Sequence, residues 1–95
     1  MYKGDKMKAI ITVTGKDSMG IIAKVSHECT EANVNIIDIS QSVLKEYFAM
    51  IMLVDIDKMT VSFSDLVDIM IKLGQNNGLD IHTMHEDIFN SMHRI

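Results

Sequence analysis

Ninety-five residues make one domain, and a chain of that size buries roughly 60–65% of its unfolded surface, enough for a single core. Apolar residues are 47% of the chain and charged residues 23%, which excludes intrinsic disorder. The net charge is −4 with nine Lys and Arg spread along the chain, so no basic stripe exists and no nucleic-acid partner is expected.

Mean hydropathy is +0.15, high for a small monomer, and a homodimer or higher oligomer is the expectation. The longest apolar run, residues 48–54, is far too short to cross a bilayer, so no membrane partner is expected. Residues 1–7 form a polar leader with no apolar run behind it to act as a signal. With one cysteine, Cys29, and no internal disulfide, the expected compartment is the cytoplasm.

Residues 8–14 are rich in β-branched side chains and stop at Gly15, which predicts a strand. From Gly20 the period changes: Ile21, Val25, Cys29 and Ala32 recur at helical spacing, with Ser18 as the expected N-cap. Residues 34–44 return to period two, with Ile37 and Ile39 on one face and Ile36 and Asp38 on the other. Lys45-Glu46 fits a tight reversal into a strand over 47–56 that is apolar on both faces. Ser62 or Ser64 caps a second helix with the stripe Leu66, Ile69, Met70 and Leu73, and Gly74 and Asn77-Gly78 supply its stop signals. Residues 79–84 predict a last strand. Glu86 and Asp87 then open a short amphipathic tail, residues 86–95, with Ile88, Phe89, Met92 and Ile95 on one side.

The order β-α-β-β-α-β plus a tail predicts an α+β, ferredoxin-like sandwich: a four-stranded antiparallel sheet with two helices on one face. The run Ile10-Ile11-Thr12-Val13-Thr14-Gly15-Lys16-Asp17-Ser18-Met19-Gly20-Ile21-Ile22, with Val25 and Asn33-Val34-Asn35-Ile36-Ile37-Asp38-Ile39 after it, resembles the ACT domain over about residues 8–85. The ending resembles the tail of small prokaryotic proteins made of one ACT domain. One departure stands out: Met19 occupies the position before the helix-opening glycine, where the family often has proline.

The resemblance implies a non-enzymatic regulatory module that binds a small molecule, most often an amino acid, at a subunit interface. Such domains usually control an attached enzyme or DNA-binding domain, and one domain fills this chain. A second class is an adaptor that docks a separate regulator through its sheet edge or open face, with no small ligand. A third is a small enzyme with its site between chains.

Candidate ligand residues are Gly15, Asp17, Ser18, Met19, Gly20 and Ile21. A glycine-flanked loop at a helix start presents free N–H groups and the positive dipole end to a carboxylate. Asp17 suits a ligand ammonium. Asn35, read as lying close to that loop, closes the other side from the same or a partner chain. The plainer reading of the same residues is a strand-to-helix turn, and for Asn33 and Asn35 ordinary turn chemistry.

No cofactor and no metal are expected. His82 and His85 point to opposite faces of a strand, and no His or Cys spacing matches a zinc motif. Solvent-exposed histidines are expected at positions 27, 82, 85 and 93. His27 and Cys29 lie about 200° apart around a helix and cannot act as a base and nucleophile pair. Cys29 reads as core, as do Met50, Met52, Met70, Met84 and Met92.

Overall fold

The computed structural model describes residues 7–16 and 19–92. Strand β1 (Lys8–Gly15) leads into helix α1 (Ile21–Glu31), strands β2 (Asn35–Leu44) and β3 (Tyr47–Asp55), helix α2 (Phe63–Asn77), strand β4 (Asp80–His85) and the short helix α3 (Glu86–Met92). The strands form one sheet in the order β2-β3-β1-β4, antiparallel at every pairing. The ferredoxin-like arrangement expected from the element order is the one observed.

The sheet's two faces follow from alternation. Ala9, Ile11 and Val13 of β1 and Phe48, Met50, Met52 and Val54 of β3 point to the helices and are buried. They meet Ile21, Val25 and Cys29 of α1 and Leu66 and Met70 of α2 in one cluster. Burying each such apolar side chain contributes about 1.5–3 kcal/mol.

The opposite face is less well covered. Ile10 is buried there between its register neighbours Leu53 and Met84, at the end of the sheet where α3 packs on β1 and β4. Beyond that point Ile51 is 43% exposed, so the second apolar face of β3 stays partly open.

Helix α1 differs from expectation at its start. Its N-cap is Gly20, left-handed at φ 72°, with no side-chain cap; Ser18 lies outside the described residues. Its end is a Schellman turn: the Val34 N–H donates to Cys29 O at 2.8 Å and the Asn33 N–H to Thr30 O at 3.1 Å, with Asn33 left-handed at φ 58°. Ser62 caps α2, its Oγ accepting from the Asp65 N–H at 3.0 Å. Gly74, read as a stop signal, lies inside α2, and Gly78 is the left-handed C-cap.

Strand β2 departs from strict alternation. A bulge between Ile36 and Asp38 puts Ile36 and Ile39 on the same, core-facing side and leaves Ile37 45% exposed. The bulge was not legible because every residue around it suits a strand. Two other expectations are corrected. His85 is half-buried and stacks on Phe63 with ring centroids 3.9 Å apart, and Met92, like Ile88, is exposed rather than core.

Candidate functional site

Strands β1 and β2 run in the same direction because α1 carries the chain back along the sheet. Each end of the sheet therefore collects a different set of connections. At one end lie the last residues of β1, the β2–β3 reversal and the α2–β4 junction. At the other lie the exit of α1, the start of β2 and the segment between β3 and α2.

The first end holds a recess of about 680 Å³, within the range of small-molecule sites. Its floor is a row across the sheet: Ser42 pairs with Ala49, Ala49 with Thr14, and Thr14 with Asp80. The side chains of Ser42, Ala49 and Thr14 are small. Leu44 and Tyr47, paired across the tight turn where Lys45 takes φ 56°, raise one wall. Gly78, Leu79 and Asp80 raise the other, and Phe48 and Gly74 close the recess around the end of β1.

Two glycines make this packing possible. A Cβ on Gly15 would collide with the Leu79 side chain, and one on Gly74 would strike the Leu79 carbonyl. Leu79 is thereby seated between β1 and α2 and is buried. The charges are few. Lys16 Nζ lies 5.8 Å from the centre of the Tyr47 ring, within cation–π reach, and Asp80 is exposed at the recess edge. Among the described residues, Lys16 and Asp80 are the charged ones that line it.

Of the residues expected to bind ligand, Gly15 lines the recess, while Met19, Gly20 and Ile21 follow it at the start of α1. Met19 is 86% exposed, whereas Ile21 is buried in the core. Asp17 and Ser18 lie outside the described residues. A Cβ on Gly20 would meet nothing within 4 Å, yet its φ of 72° strains any L side chain. Its glycine is required by conformation, so a valine there costs fold stability as well, about 1–2 kcal/mol.

Asn35 is not close to this loop within one chain. It pairs with Asp55, whereas Gly15 pairs with Phe48. Seven residue steps along β3 separate the two, about 23 Å at 3.3 Å per residue. The expectation failed because Asn35 was placed by its nearness in sequence to α1, without counting the length of that helix. Asn33 behaves as turn chemistry: its amide donates to Lys58 O at 2.8 Å. Sequence reasoning passed over Lys16, Tyr47, Leu79 and Asp80. The signal for them was their position beside Gly15, Lys45 and Gly78, but only the strand register brings the three segments together.

Cys29 is buried, and burial pushes its thiol up to about 11, with the Glu28 carboxylate adding to the effect. Among the described residues no group of three or more His, Cys, Asp or Glu is placed to hold a metal ion. No helix among them is long and apolar enough to cross a membrane.

The sequence profile of the ACT domain matches residues 8–84. A UPF0237 protein from Clostridium perfringens is 54% identical over 89 residues, covering 94% of this chain and all of the relative. A UPF0237 protein from Methanocaldococcus jannaschii is 44% identical over 88 residues, covering 93% of this chain and 98% of the relative. Among solved structures, an ACT domain protein from Streptococcus pneumoniae superposes with a TM-score of 0.77 at 42% identity, covering 90% of this chain and 96% of that one. The relatives match end to end at high identity, and the fold is shared. The chain belongs to the ACT domain family.

Proposed function

We propose that this protein is a non-enzymatic regulatory module that senses a small ligand, an amino acid, as a homodimer. The observation that carries the reading is the recess at the end of β1, which Gly15 and Lys16 line. The ligand engages that loop through Gly15, Asp17, Ser18, Met19, Gly20 and the main chain of Ile21. Asn35 can join only from a second copy. ACT domains typically bind regulatory small molecules, which supports a sensing role.

The oligomer is supported by β2. It is one of the sheet's two edge strands, ten residues long, with Asp38 its only charge and no proline. Edge strands that stay monomeric are usually blunted by charge, proline or a covering segment. The same bare edge supports a second reading, an adaptor that docks a separate protein strand and takes no small ligand.

A thermal-shift screen with the twenty amino acids separates the two. A specific ligand at a hundredfold excess over its Kd stabilises by about 2.7 kcal/mol. A screen without any stabilising amino acid contradicts the sensing role. Sedimentation at micromolar concentration should give at least a dimer, and a clean 10.7 kDa monomer would contradict the homodimer.

A further inference from the structure

We infer that α3 is an assembly element: the homodimer forms across the open face of the sheet, and α3 of each copy seats on the other's sheet beside that copy's own α3. This rests on the homodimer proposed above and says which surface makes it.

Helix α3 lies beyond the span 8–84 that the ACT profile matches, so it is an addition to the family's core. It is seven residues long, and a helix that short is not stable alone in water, so packing must hold it. Yet none of its residues is buried. Phe89 is half-buried, while Ile88 and Met92 are 54% and 65% exposed. Four residues apart, those two share one flank, a bare apolar stripe on a helix that already packs on β1 and β4.

Beside the helix lies a seat for another. α3 covers the end of the open face around Ile10, and the next row of the register runs Ser40, Ile51, Thr12 and His82. Three of these are exposed and Thr12 is half-buried. Packed helices sit about 8–10 Å apart, or about three residues along β1 at 3.3 Å each. A second helix beside α3 would therefore lie over that row, between α3 and the recess. A ridge and its seat side by side on one surface are what a two-fold axis needs, because each copy then offers both halves of the contact.

The area is sufficient. Four strands about 4.8 Å apart and eight residues of β1 give the sheet a footprint of about 500 Å². A seven-residue helix about 10 Å wide covers about 100 Å² of it. The uncovered faces of two copies, with the outer flanks of two α3 helices, come to about 1,000 Å², the size at which a specific interface becomes stable. The β2 edge offers less, because the bulge between Ile36 and Asp38 interrupts the ladder that an added strand would need.

The test is sedimentation equilibrium on the full chain. The parent should be a dimer, and the double variant Ile88→Ser, Met92→Ser should raise its dissociation constant at least about a hundredfold, about tenfold for each apolar anchor removed. Ile51→Glu, on a different element, should weaken it at least about tenfold, which keeps the test open if the double variant fails to fold. Ile37→Asp, exposed on β2, should leave the dimer unchanged. Circular dichroism of the variants should show the parent's sheet content, since all four side chains are exposed. A parent dimer that either face variant leaves intact overturns this inference while the homodimer stands. So does a dimer that Ile37→Asp dissociates. A parent that is monomeric at micromolar concentration overturns both.

Discussion

The two ends of the sheet solve the same problem in different ways. At the end where β2 begins, the described connections bond back onto the chain. The Asn33 amide donates to Lys58 O, the Thr60 N–H donates to Ala32 O, and the Ile56 N–H donates to Met7 O. At the end where β1 stops, the connections turn outward around a recess, with a lysine resting on a ring and an aspartate facing solvent. Backbone and side-chain polar groups satisfied internally hold a fold together, whereas groups left facing a concavity are available to something else. On the proposed function, the closed end carries stability and the open end carries recognition.

The largest way to break this division is Leu79→Ala. Leu79 is buried between Gly15 and Gly74 and also lines the recess, so it is where the open end contributes to the fold. The variant should lose about 2–5 kcal/mol in urea unfolding, and a loss under 1 kcal/mol would show that the Gly15–Leu79–Gly74 contact is slack.

A smaller effect is expected at the closed end. Asn33→Ala removes the amide bonded to Lys58 and puts a Cβ-bearing residue without a local hydrogen bond at φ 58°, costing about 1–3 kcal/mol. Asn33→Gly keeps the backbone conformation and loses only the hydrogen bond, about 0.5–1.5 kcal/mol. Thermal melts of the pair separate the two causes, and equal losses would show that conformation contributes nothing.

How much of each end was legible in the sequence follows from the range of its interactions. Periodicity and end signals found the order of strands and helices, the core positions Val25, Cys29, Leu66 and Met70, and the Lys45-Glu46 reversal, because those are local. The left-handed cap at Gly20 was hidden by Ser18, a better side-chain cap in isolation. The bulge at Ile37 was hidden by a run of residues that all suit a strand. The recess was the least legible, since Thr14, Ala49 and Asp80 meet only through the register of three strands. Placing Asn35 beside the loop was the cost of reading neighbours in sequence as neighbours in space.

The smallest effect concerns the core that both ends share. The Cys29 thiol holds its proton more tightly in the folded chain than in the unfolded one, where it ionises near 9. Its contribution to stability is therefore complete below pH 9 and is lost as the pH rises towards about 11. Urea midpoints should fall over that window in the parent and fall less in Cys29→Ala. Parallel curves would show that the thiol titrates normally.

The contrast between the ends is tested most directly by amide chemical shifts during a titration with the amino acid that stabilises most in the thermal-shift screen. Binding at the open end should move the signals of Thr14, Gly15, Lys16, Gly78, Leu79 and Asp80 and leave those of Asp55, Ile56 and Lys58 in place. Shifts concentrated around Ile56 and Lys58, with the β1 end unmoved, would contradict the division of labour between the two ends.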